Sequence, residues 1–190
     1  MRVLLVDFHD SFTFNIEHYL NAIDVHVTVI KDDDIIINDL HHFDAIILSP
    51  GPGLPSETKS LFPILENYST THKIMGVCLG MQGIAQFFDW ELYNLKDVFH
   101  GKSRNIEIKK KSWLFAKFGN KMNVGLYHSW AVKMNRKSVL KITAQTDDNL
   151  IMAFEHDTLN VCGVQFHPES ILTDNGIEIF KNFLFTKRIF

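Results

Sequence analysis

The chain has 190 residues, 46% of them apolar, with 16 phenylalanines and a formal net charge of −3. That is enough for one domain, 1–190, with a substantial core, and it excludes bulk disorder. The charge excludes the broad basic footprint of a nucleic-acid binder, and the one basic run, Lys109-Lys110-Lys111, reads as a solvated turn or strand end.

No stretch approaches the unbroken apolar length of a membrane span. The run Met1-Arg2-Val3-Leu4-Leu5-Val6-Asp7 lacks the pattern of a signal peptide. The only cysteines are Cys78 and Cys162. A core of this size needs no disulfide, so both thiols are expected reduced, in a cytoplasmic protein.

Along the first half, strand and helix patterns alternate. Residues 3–6 read as a buried strand, and 11–23 as a helix with Phe12, Ile16, Tyr19 and Leu20 at helical spacing. Asp10 and Ser11 are natural caps for it. Strands follow at 25–30, 45–48 and 74–77, with helices at 58–68 and 79–88. The second half adds strand patterns at 105–108, 122–126, 140–144, 151–155 and 161–165, and a helix at 174–184. The fold class is α/β: a central, mostly parallel sheet with helices on both faces, to which the later strands are added.

Cys78 stands in Gly76-Val77-Cys78-Leu79-Gly80, between a strand and a helix. A nucleophile on so sharp a turn needs glycines on either side, where side chains would collide. The helix N-terminus brings unpaired N–H groups and a positive dipole end to the sulfur, and both favour the thiolate. The Leu79 N–H is placed to donate to an oxyanion. Cys162 lies in an apolar strand pattern and is assigned no chemistry.

A base and its orienter come from Val164-Gln165-Phe166-His167-Pro168-Glu169-Ser170. Pro168 pushes His167 towards extended backbone, where residues two apart share a side. Glu169 can then hold one imidazole nitrogen while the other faces Cys78, which is triad logic with a thiol as nucleophile. Of ten histidines, His41 and His42 read as surface residues. Ser49-Pro50-Gly51-Pro52-Gly53-Leu54-Pro55 follows the third strand. Loops beyond the carboxyl ends of parallel strands gather at one site. Pro52 has no N–H, so a second oxyanion donor must come from Gly51 or Gly53; Gly51 is favoured, with Gly53 nearer the substrate backbone.

Together these segments resemble the class I, triad-type glutamine amidotransferases. Gly76-Val77-Cys78-Leu79-Gly80-Met81-Gln82 is similar to the family's nucleophile motif, and the stretch from Gly163 to Thr173 to its His-Glu motif. Within the class, Asp10-Ser11-Phe12-Thr13-Phe14-Asn15, the Pro-Gly loop and Tyr127-His128-Ser129 resemble the small subunits of anthranilate synthase and aminodeoxychorismate (para-aminobenzoate) synthase. Met81, Trp130 and Phe8-His9 depart from the commoner residues of that family, and none touches the triad.

The resemblance implies that Cys78, His167 and Glu169 hydrolyse glutamine to glutamate and ammonia through a glutamyl thioester. It also implies that Gln82, Ser129 and Trp130 help to hold glutamine, the last two largely through backbone. No metal or cofactor is expected in this chain. Ammonia released into neutral water is protonated and lost as a nucleophile, so the implied partner is a chorismate-binding synthase large subunit, a magnesium enzyme, in a hetero-oligomer. The segments Phe99-His100-Gly101-Lys102 and 10–15 are the expected partner face. Three readings stay open at this stage: this one, a glutaminase for another synthase or a hydrolase of gamma-glutamyl peptides, and a non-catalytic binding subunit, against which the complete triad speaks.

Overall fold

The structure is a computed structural model that describes residues 1–109, 112–135 and 137–186. Its strands are β1 (Arg2–Asp7), β2 (His26–Lys31), β3 (Ala45–Leu48), β4 (Lys73–Val77), β5 (Glu91–Asn94), β6 (Lys102–Ile108), β7 (Lys121–Leu126), β8 (Trp130–Lys133), β9 (Leu140–Gln145), β10 (Ile151–His156) and β11 (Val161–Val164). Its α-helices are α1 (Thr13–Asn21), α2 (Leu61–Tyr68), α3 (Leu79–Phe87) and α4 (Gly176–Phe185).

Nine strands form one sheet in the order β2-β1-β3-β4-β11-β10-β9-β6-β7. The first five run parallel, and every pairing from β11 to β7 is antiparallel. All four residues of β3 are fully buried, as a strand covered on both faces requires. Alternation along β1 divides two cores. Val3 and Leu5 pack with Ile16 and Leu20 of α1 and Ile179 and Phe180 of α4. Leu4 and Val6 pack with Ile64 and Leu65 of α2 and Ile84 and Ala85 of α3. A one-residue slip of β1 would exchange these two sets.

Three local features differ from the sequence expectation. Helix α1 starts at Thr13, not residue 11, and its N-cap is Phe12, whose side chain caps nothing. Asp10 instead turns back to accept the Phe12 N–H at 2.8 Å, while buried Asp7 accepts the Thr13 hydroxyl at 2.9 Å and the His9 N–H at 3.0 Å. The polar grip of two aspartates thus shapes a turn where a cap was expected. Helix α2 likewise begins at Leu61 rather than 58, because a 3-10 turn over Pro55–Glu57 precedes it. Finally, β5 and β8 pair as a separate two-stranded sheet, which the sequence reading left out.

Cys162 lies fully buried in β11, opposite Met75 of β4, and no disulfide joins it to Cys78. His41 and His42 are exposed. Of the basic run, Lys109 is exposed beyond β6, and residues 110 and 111 lie outside the described residues. Among the described residues no helix is long and apolar enough to cross a membrane.

Candidate active site

Strand β4 ends at Val77, and the chain turns into α3 through Cys78 at φ 52°, ψ −101°. Positive φ is uncommon for a residue with a Cβ and costs on the order of 1–3 kcal/mol. Backbone bonds on both sides hold the strained residue. Its N–H donates to the Val164 carbonyl at 2.8 Å, and its carbonyl accepts the Gln82 N–H at 3.0 Å. The glycine frame is steric, as expected. A Cβ on Gly76 would run into the Gly80–Met81 backbone, and one on Gly80 into the Leu48 carbonyl.

The Pro-Gly loop leaves β3 beside this elbow. Gly51 lies so close to the side chains of Leu79 and Phe8 that a Cβ there would overlap both. A cleft of about 160 Å³ is lined by Cys78, Gly51, Pro52, Gly53, Gln82 and the Tyr127–Trp130 segment. Of the expected substrate residues, Gly51, Gly53, Gln82, Ser129 and Trp130 therefore share one wall with the sulfur. The Leu79 side chain does not; it helps to line a separate space of about 340 Å³ with Phe8, His9, Asp32, Glu57 and Thr58. As first residue of α3, however, Leu79 has an N–H without an intrahelical acceptor.

His167 and Glu169 meet as neighbours two apart should: Nδ1 lies 2.7 Å from Glu169 Oε1. Both side chains are sealed from solvent, at 2% and 0% exposure. Nε2 makes no hydrogen bond of good geometry among the described residues, although Cys78 is near enough to act on the ring electrostatically. Such contacts are commonly long before substrate arrives. Burial alone would depress the His167 pKa. The Glu169 charge, a hydrogen-bonding and charge effect of Cys78, and the Glu169 hydrogen bond outweigh it and push it up to about 10. The imidazole is therefore held as imidazolium at neutral pH.

A second buried imidazole behaves oppositely. Burial pulls His128 down to about 4, against the Trp130 carbonyl that raises it, and the nearby His167 charge lowers it further. Neutral His128 has one ring N–H, and its Nδ1 donates to the Trp130 carbonyl at 2.8 Å. Three residues beyond the sequence-derived set complete the surroundings. Phe12 and Tyr127 bracket the His167 ring edge-on, each with centroids 4.9 Å away. Gln165, wholly buried, points its Nε2 at Cys78 Sγ, 3.5 Å away. Its legible signal was polarity: Gln165 is the polar residue in the apolar run 161–166.

An α/β sheet with a cysteine on a strained strand-to-helix elbow, facing a buried His-Glu pair, defines a thiol-dependent acyl-transfer protein. Comparison with known proteins narrows that class. The profile of "Glutamine amidotransferase class-I" matches residues 4–187, and the chain belongs to that family. It is 40% identical over 192 residues to anthranilate synthase component 2 of Pseudomonas aeruginosa, covering 96% of this chain and 94% of that one. It is 37% identical over 189 residues to the aminodeoxychorismate/anthranilate synthase component 2 of Bacillus subtilis, covering 98% and 97%. Among solved structures, a Thermoplasma acidophilum protein superposes with a TM-score of 0.87 at 23% identity, over 96% of this chain and 92% of its own. A glutamine amidotransferase of Thermotoga maritima superposes with a TM-score of 0.72 at 16% identity, over 89% and 76%. These two likenesses bear on the fold alone.

Proposed function

We propose that this chain is the glutaminase component of a chorismate-using synthase, making anthranilate, aminodeoxychorismate or both. The observation that carries the reading is the sealed His167–Glu169 pair beside a sulfur held on a strained elbow. In this mechanism the Cys78 sulfur attacks the side-chain amide carbon of glutamine. The N–H groups of Gly51 and Leu79 stabilise the tetrahedral oxyanion. The imidazolium of His167 gives its proton to the departing ammonia, then takes one from the water that hydrolyses the thioester. Glu169 holds the ring throughout and is not itself protonated. Glutamine lies against Gly53, Gln82 and the Ser129–Trp130 backbone. The chain needs no metal for this chemistry, and magnesium belongs to the synthase.

The partner docks on the mouth of the cleft, where the expected segments converge. Phe12 of one segment and His100 of the other both pack on Tyr127 of the cleft, and Phe14 and Val98, in or next to those segments, expose 59% and 60% of their surface, apolar area that a protein partner would bury. The His100 and Tyr127 ring centroids are 5.9 Å apart. Phe99, by contrast, packs on the His128 ring, with centroids 5.2 Å apart, and is partly buried against the core.

The test is Cys78→Ala in the full chain, assayed with its synthase on glutamine and chorismate. Loss of glutamine hydrolysis, with aromatic amination kept on added ammonia, supports the whole reading. Undiminished hydrolysis overturns it. The aromatic product identifies the pathway, and free glutamine assayed against gamma-glutamyl peptides separates a synthase subunit from a hydrolase.

A further inference from the structure

Two buried amides lie behind the sulfur, and their orientation follows from what their neighbours can do. Gln82 Nε2 lies 3.1 Å from the Trp130 carbonyl oxygen and 3.2 Å from Gln165 Oε1. A carbonyl oxygen only accepts, so the NH₂ end of Gln82 must face it. The second proton of that NH₂ goes to Gln165 and fixes its oxygen inward. The NH₂ of Gln165 is thereby turned to Cys78 Sγ at 3.5 Å. An unbroken line of hydrogen bonds runs from the Trp130 carbonyl, at the wall of the glutamine cleft, to the nucleophile.

We infer that Gln165 is a further catalytic residue, an amide donor to the Cys78 sulfur, and that Gln82 acts on the sulfur by holding Gln165 the right way round. The inference rests on the proposed role of Cys78 as nucleophile. A donor beside sulfur favours it when it carries charge, as the attacking group and again as the leaving group of thioester hydrolysis, and favours the neutral thioester less. Gln165 therefore assists both halves of the reaction. It also ties the sulfur to the segment that lies against substrate. In this arrangement Gln82 has two functions that separate experimentally: its surface in the cleft governs KM, and its grip on Gln165 governs kcat.

The experiment compares Gln165→Met, close in shape but without a donor, with Gln165→Glu, which places an acceptor against the sulfur. The readouts are alkylation of Cys78 by chloroacetamide in the full chain, and kcat and KM for glutamine hydrolysis with the synthase present. Gln165→Met should slow alkylation and lower kcat by about tenfold or more, with KM within about threefold. Gln165→Glu should lower both further. Gln82→Met should cost much less kcat in the Gln165→Met background than in the native chain, while its effect on KM persists. If Gln165→Met does not fold, Gln165→Asn, which keeps the amide and withdraws it by one methylene, carries the same expectation. Native alkylation rate and kcat in the folded Met or Asn variant overturn the inference, as do fully additive losses in the double variant. Its failure is distinct from failure of the parent reading, which alone predicts that Cys78→Ala abolishes turnover.

Discussion

The sheet divides into a parallel half that carries the chemistry and an antiparallel half that mostly does not. Strands β2, β1, β3, β4 and β11 all run one way, so their exits accumulate at one edge. From that edge come Phe12 after β1, the Pro-Gly loop after β3, Cys78 after β4, and Gln165 and His167 after β11. The antiparallel strands alternate direction. Among them β7 sends its exit, Tyr127–Trp130, to the cleft. Direction alone thus decides which loops can meet, and it places residues almost ninety positions apart side by side.

The antiparallel half buries an acid for a structural purpose. Glu155 of β10 accepts the Ser112 hydroxyl at 2.6 Å and the Leu114 N–H at 3.0 Å, and Asn182 of α4 donates to the Leu114 carbonyl at 2.9 Å. These bonds pin the turn after residue 111 to the sheet and to α4. As whole residues, Glu155 and Glu169 are both nearly inaccessible, at 6% and 4%. Glu155 accepts from a backbone N–H and a hydroxyl, whereas Glu169 is aimed at an imidazole. Burial by itself does not identify a functional carboxylate; the partner does.

This contrast can be broken most sharply at Gly51. Gly51→Ala forces a Cβ against Leu79 and Phe8 and, in the proposed mechanism, displaces one oxyanion donor. Glutamine turnover should fall by about a hundredfold or more, with ammonia-dependent amination by the complex unchanged. Loss of both activities would mean that the loop serves the partner interface rather than the oxyanion. The converse change is Glu155→Ala. Urea denaturation should show a loss of about 1–3 kcal/mol from the unpaired Leu114 N–H and Ser112 hydroxyl, with kcat/KM for glutamine within about threefold of native. A large loss of kcat/KM at full stability would erase the division between the two halves.

The strands of both halves were legible, and in the parallel half the exits were legible too. Its strands are continuous apolar runs, and glycines and prolines mark where each exit turns, so the Cys78 elbow, the Pro-Gly loop and the His167–Glu169 pair could all be located. Strand β5 was not legible because Glu91–Asn94 is four residues long and its side chains are mostly exposed, which leaves no apolar period to find. Its partner β8 buries only Ala131 and Val132, an adjacent pair too short to show a period. The start of α1 was misjudged for another reason: Asp10 and Ser11 are both good caps, but local sequence does not reveal that Asp7 and Asp10 close the turn first. Gln165 was visible as a polar residue in an apolar run, yet its meaning depends on Gln82, eighty-three positions away.

A last test, whose acid arm is the smallest effect, sets the two buried imidazoles against each other. His167 has a folded pKa of about 10, above its ordinary 6.5, so the folded state holds that proton more tightly. Its contribution to stability is complete below pH 6.5 and is lost as pH rises towards 10. His128, at about 4, is the reverse. The unfolded chain binds that proton more readily, so stability falls as pH drops from 6.5 towards 4. The two flanks meet near pH 6.5, and each should yield to a different substitution. His128→Asn should flatten the acid flank, so that its stability difference from the native chain narrows by about 1 kcal/mol or less between pH 7.5 and pH 6. Glu169→Gln should flatten the alkaline flank, its difference from native being largest near pH 6.5 and shrinking as pH approaches 10. Urea midpoints measured across pH 5–10 separate the two. Differences from native that stay constant with pH would mean that neither imidazole changes its proton affinity on folding, and the opposed electrostatics of the cleft would have to be abandoned.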